Sequence, residues 1–162
     1  MSNYNFKNDG YALPYEAPGF VILKKRINIP NLITNQSKGQ ELVDDNGNVI
    51  SLPSTGFASA DILRVFKVPA GTLVLQAGIS VVTVEGAVSV CDFGDGSDPN
   101  GFLAAVDLNA VGSEITQVAD GYGSDNVMGV LYTSNDSLDV TFGTDDTETA
   151  VFDIWALASK VY

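Results

Sequence analysis

The residues best suited to chemistry lie in one short stretch, Cys91 to Leu108, which reads CDFGDGSDPNGFLAAVDL. The stretch sets four aspartates among glycines, a proline and large apolar residues. They are Asp92, Asp95, Asp98 and Asp107. Carboxylates grouped in this way can bind a metal ion, act as general acid and base, or close a turn by accepting hydrogen bonds from backbone amides.

Metal binding is poorly supported by the spacing. An EF-hand loop needs ligands at its first, third and fifth positions and a glutamate at its twelfth. Counted from Asp92, the third and fifth positions are glycines, and counted from Asp95 the fifth is Pro99. An irregular calcium site made by Asp95, Asp98 and backbone carbonyls stays open as an alternative. Zinc is disfavoured because the chain has no histidine and one cysteine.

Catalysis is no better supported. Without histidine there is no Ser–His–Asp or Cys–His arrangement, and Cys91 sits in an apolar run that predicts a buried, unreactive thiol. The GDGSDPNG sequence lacks the lysine of a phosphate-binding loop. A paired-carboxylate glycosidase, or another small hydrolase, stays open only because acids are plentiful. We therefore expect no enzyme, no catalytic residues, no metal and no cofactor.

A turn is the interpretation that the residue types favour. Asp98 to Gly101 reads DPNG, which has the residue preferred at each position of a type I turn. Gly94 and Gly96 permit positive φ beside Asp95, whose carboxylate can cap nearby amides. We therefore predict that the aspartate stretch has a structural role.

The charge of the chain limits its partners. The 162 residues carry 20 acidic and 8 basic side chains, giving a net charge of −12. No lysine or arginine occurs between Lys67 and Lys160, whereas that interval holds fourteen acids. Nucleic acid and anionic membranes are disfavoured because both are bound through cations. The only cationic cluster is Lys24, Lys25 and Arg26.

Two unlike parts must position these residues. Residues 1–60 are rich in proline, glycine and turns, and we predict an extended N-terminal arm with a strand over 20–29 and a hairpin at Asn46–Gly47. Residues 61–162 are short β-rich runs separated by turns. We predict an all-β fold, a β-sandwich or jelly-roll body with this arm. The predicted strands of the body are 62–68, 72–78, 79–85, 87–93, 114–118, 127–133, 137–143 and 150–158.

The single cysteine allows no internal disulfide, and the first ten residues do not read as a signal peptide. We therefore expect assembly in a reducing cytosol. The lone tryptophan, Trp155, lies in an apolar strand and is predicted to belong to the core.

The second part of the chain resembles small virion structural proteins of tailed bacteriophages, of the head decoration or cement kind. The resemblance covers about the last hundred residues. It is carried by Pro69-Ala70-Gly71-Thr72, Gly94-Asp95-Gly96-Ser97-Asp98, Gly101-Phe102-Leu103 and Ile154-Trp155-Ala156-Leu157.

The resemblance implies a non-enzymatic protein on the capsid exterior, assembled in the host bacterial cytoplasm and bound to the major capsid protein in several copies. A homotrimer would suit the local three-fold axes of a shell. The candidate capsid contacts are Tyr4, Tyr11, Tyr15, Lys24, Lys25 and Arg26. The alternative is a ligand- or sugar-binding β-sandwich module of a tail or head fibre, which requires exposed aromatic platforms.

Overall fold

The computed structural model describes residues 2–6, 19–34, 41–116, 129–144 and 146–161. These residues form twelve strands and one short helix. In chain order the elements are β1 (Asn3–Phe6), β2 (Phe20–Asn28), α1 (Ile29–Ile33), β3 (Leu42–Val43), β4 (Val49–Ile50), β5 (Ile62–Val68), β6 (Thr72–Thr83), β7 (Val90–Asp95), β8 (Leu103–Asp107), β9 (Gly112–Ile115), β10 (Val130–Tyr132), β11 (Asp136–Phe142) and β12 (Val151–Lys160).

The strands form two sheets that enclose one apolar core. The seven-stranded sheet has the order β4-β3-β1-β5-β11-β7-β8, and the five-stranded sheet has the order β10-β6-β12-β2, with β9 also paired to β6. The predicted all-β sandwich is therefore confirmed, while the jelly-roll connection remains a prediction.

The core follows the alternation of the strands. Leu138, Val140 and Phe142 of β11 are fully buried, and Phe142 stacks on Phe57 with ring centroids 4.1 Å apart. From the other sheet they are faced by four fully buried residues of β12, namely Phe152, Ile154, Ala156 and Ala158. Period-two burial is what a strand with one core face requires.

The described segments of residues 1–60 belong to the two sheets, although the sequence predicts an extended arm there. β1 lies between β3 and β5, and it runs parallel to β5 with Tyr4 opposite Leu63. β2 pairs along its whole length with β12. The hairpin at Asn46–Gly47 is present, with β3 and β4 as its strands. Residues 7–18 and 35–40 lie outside the described residues.

Several elements differ from the sequence prediction. The predicted strands over 72–78 and 79–85 are one continuous strand, β6. The prediction missed β1, β8 and the five-residue helix α1, which starts where Asn28 accepts a hydrogen bond from the Asn31 amide at 3.0 Å. No helix in the described ranges has the length and apolar character needed to cross a bilayer.

Candidate interaction surface

The outer face of the five-stranded sheet, the face turned away from the core, carries large apolar side chains. Strand pairing brings them together in neighbouring cross-strand rows. They are Phe20, Ile22, Leu73, Ile115, Leu131, Trp155 and Leu157, and we call them the outer apolar face. Phe20 is 60% exposed and Ile22 is 69% exposed. Apolar residues grouped in this way on a soluble protein mark an interaction surface.

Trp155 is part of this face and does not lie in the core as the sequence reasoning had it. It is half-buried and pairs with Lys24 on one side and Gly78 on the other. A Cβ added to Gly78 would come within 2.6 Å of three indole atoms, so the ring lies across this glycine. The signal was in the alternation of β12, which groups Trp155 with Asp153 and Leu157 and opposite Phe152 and Ile154.

Two cations of the basic cluster border the outer apolar face and share one carboxylate. Arg26 Nε and Nη2 donate to Asp153 Oδ1 and Oδ2 at 2.7 and 2.9 Å, and Lys24 Nζ lies 3.3 Å from Oδ2. The hydrogen bonds from Arg26 hold the pKa of Asp153 below its usual range. The cluster therefore presents less net positive charge than its three residues suggest.

The side chain of Lys25 lies on the face of β2 opposite to that of Lys24 and Arg26. Its Nζ lies 3.4 Å from the centroid of the Phe6 ring, a cation–π contact between the two sheets. From the sequence, Lys24, Lys25 and Arg26 were predicted to form one basic cluster. Because side chains alternate along a strand, the structure brings only Lys24 and Arg26 together.

Of the three tyrosines predicted to contact the capsid, the structure describes only Tyr4. Tyr4 is buried, and its ring meets Phe57 edge-on with centroids 5.1 Å apart. Burial raises the pKa of its hydroxyl. Tyr4 therefore contributes to the core of this chain. Tyr11 and Tyr15 lie outside the described residues.

The aspartate stretch forms the predicted turn. The amide of Gly101 donates to the carbonyl of Asp98 at 3.1 Å, which closes the DPNG turn. Asp95 Oδ1 accepts from the amides of Ser97 and Asp98 at 2.8 and 2.9 Å. The described ranges contain no group of three or more histidines, cysteines and carboxylates placed to hold a metal ion.

Asp95 also joins the two sheets, a role that the sequence did not reveal. Its Oδ2 accepts a 2.7 Å hydrogen bond from the hydroxyl of Tyr132, which lies on β10 in the other sheet. Both groups are buried. Cys91, on the same strand as Asp95, is fully buried as predicted, and burial raises the pKa of its thiol.

A second buried carboxyl, Asp139, was also missed. It lies on the outer side of β11, between Arg64 of β5 and Gly94 of β7, and its Oδ1 has no hydrogen-bond partner. Gly94 is itself covered by the backbone of Asp98 and Pro99. Burial raises the pKa of Asp139 to about 7 against the lowering effects of a Ser137 hydrogen bond and the Arg64 charge.

The fold has counterparts among solved structures. A chain in the acid-stable capsid of Helicobacter pylori bacteriophage KHP30 matches with a TM-score of 0.52 and 11% identity over 88% of this chain and 90% of that chain. A chain in the capsid of Ralstonia phage GP4 matches with a TM-score of 0.53 and 14% identity, covering 89% and 87%. A chain in the capsid of cyanophage Pam1 matches with a TM-score of 0.54 and 12% identity, covering 90% and 91%.

No model of a known protein family matches the sequence, and no protein of curated function matches it. The structural likeness therefore shows a shared fold between chains of similar length. It covers 88–90% of this chain and so extends beyond the last hundred residues, where the sequence resemblance had been placed.

Proposed function

We propose that this chain is a structural protein of a bacteriophage virion, and more narrowly a decoration or cement protein that binds the outside of the head and stabilises the shell. The observation that carries the proposal is the fold likeness to chains of three phage capsids over nearly the whole length of each chain. The role is non-enzymatic, and the partner is the major capsid protein. The chain is assembled in the bacterial cytoplasm and adds to the shell in several copies, with a trimer favoured.

The charge of the chain supports an exterior position. A head interior is filled with DNA phosphates, and a protein with a net charge of −12 is repelled by them. Outside the shell the same charge keeps the exposed body hydrated.

The outer apolar face is the surface that we assign to the shell. Exposed apolar side chains bring favourable burial on binding, at about 25 cal/mol per Å² removed from water. Lys24 and Arg26 border this face and would meet acidic groups of the shell at the rim of the contact. Tyr11 and Tyr15 remain proposed contacts from the N-terminal part.

Head pelleting tests the assignment. Heads of the phage that encodes the chain, stripped of this protein, would be mixed with wild type, Ile22→Asp or Val88→Asp and centrifuged. Ile22 and Val88 are both highly exposed β-branched residues, but Val88 lies in the connection between β6 and β7. We expect wild type and Val88→Asp to pellet in a fixed ratio to the major capsid protein, and Ile22→Asp to bind at least tenfold more weakly.

Two results would contradict the proposal at different levels. If wild type does not pellet with heads, the decoration role is wrong. If wild type pellets and Ile22→Asp binds equally well, the role stands and the assigned surface is wrong.

The exposed part of Trp155 favours one second candidate, a sugar-binding module of a virion fibre. A half-buried indole beside exposed apolar residues is the kind of platform on which a sugar ring stacks. Trp155 is the only tryptophan, so its fluorescence reports on this site directly. A saturable change in emission with host-surface polysaccharide, together with no pelleting on heads, would favour this candidate over the decoration role.

A further inference from the structure

The two edges of the five-stranded sheet carry complementary side chains. One edge is β2, which bears the basic cluster and the exposed Ile22. The other edge includes β9, whose four residues are all exposed and include Glu114 and Ile115. Among the described residues, no strand pairs with the outward side of either β2 or β9. Such edges present unpaired backbone groups that can take up a further strand.

The register of the sheet places the opposite charges at the same level. Lys25 pairs with Ile154, and Ile154 pairs with Ile79. Ile79 in turn pairs with Glu114. All three pairings are antiparallel, so β2 and β9 run in opposite directions. A copy displaced sideways along the hydrogen-bonding direction would therefore bring its β9 antiparallel to β2 of its neighbour, with Glu114 opposite Lys25.

We propose that copies of this chain associate head to tail, with β2 of one copy pairing with β9 of the next and the five-stranded sheet continuing across the contact. Glu114 meets Lys25 at this contact as an opposite-charge cross-strand pair, beside the contact of Lys25 with the Phe6 ring. Pairing β2 with β2 would oppose two basic clusters, and pairing β9 with β9 would oppose two glutamates.

This contact is heterologous, since it joins two different surfaces. Such a contact continues as a filament when copies are only displaced, and it closes into a ring of three when each copy is also rotated by a third of a turn. The Lys25–Glu114 pair offsets part of the repulsion between chains with a net charge of −12. The inference concerns contacts between copies and does not rest on binding to a head.

Engineered cysteines test the register. Lys24 and Ile115 occupy one cross-strand row, three strand spacings or about 14 Å apart within a chain, which is too far for an internal disulfide. Across the proposed contact they are direct neighbours. We expect the double variant Lys24→Cys/Ile115→Cys to form covalent multimers under mild oxidation, while each single variant stays monomeric on a non-reducing gel. The native Cys91 is buried and does not interfere.

The control is Lys24→Cys/Val88→Cys, which pairs the same edge with an exposed residue elsewhere on the surface. Multimers formed equally by this control, or none from the test variant, would overturn the proposal. A dimer formed by Lys24→Cys alone would overturn it in favour of β2 pairing with β2.

A second measurement of the same contact uses no engineered cysteines. We expect sedimentation velocity to show that Glu114→Lys weakens self-association at least tenfold relative to wild type, because the substitution opposes cations across the contact. Unchanged self-association, or wild type that sediments as a monomer at high concentration, would also overturn the proposal.

Discussion

Asp139 makes the stability of the protein depend on pH. Its folded-state pKa is about 7, whereas an aspartate in an unfolded chain titrates near ~3.9. The folded state thus holds a proton that the unfolded state has released between these values. The contribution of Asp139 to the free energy of unfolding is fully present below pH ~4. It is lost as the pH rises to about 7, at up to ~1.4 kcal/mol per pH unit. Asp136 and Asp95 raise the pKa further, and Arg64 opposes them.

Replacement of Asp139 by Asn should remove this dependence. The amide is neutral at all these pH values, so we expect Asp139→Asn to melt at a higher temperature than wild type at pH 8 and to approach it at pH 5. Melting temperatures at intervals from pH 5 to 8 would measure the difference.

The half-buried neighbour Asp136 supplies the matched control, because Asp136→Asn removes one charge near the same place without removing the buried carboxyl. If the melting temperatures of Asp139→Asn and wild type differ by the same amount at every pH from 5 to 8, Asp139 does not titrate in this range.

The roles of some individual residues could be predicted from the sequence, and those of others could not. The DPNG turn was predictable because each residue type suits its position. Gly78 was misread as a strand end because glycine commonly marks a break, whereas here it makes room for the Trp155 ring. Asp139 pairs with Gly94, which the backbone of Asp98 and Pro99 covers, and no local pattern reveals this arrangement.

Among the elements, β7 and β10 are joined across the sandwich by the hydrogen bond from Tyr132 to Asp95. Tyr132→Phe removes the hydroxyl and leaves the buried carboxylate with one donor fewer. We expect a loss of ~1–3 kcal/mol in the free energy of unfolding. Urea unfolding followed by tryptophan fluorescence would measure it.

A double-mutant cycle separates this hydrogen bond from the packing of the ring. The cycle compares Tyr132→Phe, Asp95→Asn and the double variant. If the bond couples the two sheets, the double variant should lose less stability than the sum of the single losses. Additive losses would mean that the two side chains stabilise their own sheets separately.

Sequence reasoning found the three longest strands, β2, β6 and β12, although it divided β6 in two. The alternation of buried and exposed residues is broken in β8 at Ala105, which has φ 52°. The amide of Ala105 donates a hydrogen bond to Asp92 Oδ1 at 2.7 Å. β1 has four residues, and its parallel partner begins at Ile62. Pairing over such a separation leaves no local signal, so residues 1–60 appeared to be an arm.

At the scale of the whole molecule, the pairing of Lys24 and Arg26 with Asp153 limits the contribution of charge to binding. If the outer apolar face makes the main contact, attachment to heads should depend weakly on salt. We expect the Kd from head pelleting to change less than about tenfold between ~50 and ~500 mM NaCl, because screening acts on exposed charges and not on apolar burial. A steep fall in binding with salt would point to the cations as the main contact.

The position of β12 has a consequence for the order in which the chain can be made and folded. β12 lies between β6 and β2, and within the described residues it is the only strand that pairs with β2. While the ribosome is still synthesising residues 151–160, β2 and β6 have been made but cannot be joined. The outer apolar face, which includes residues of β2, β6 and β12 and others of β9 and β10, therefore forms only after β12 emerges. A prematurely terminated product would lack the surface that we assign to the shell, so incomplete copies would be excluded from the head without a separate proofreading step.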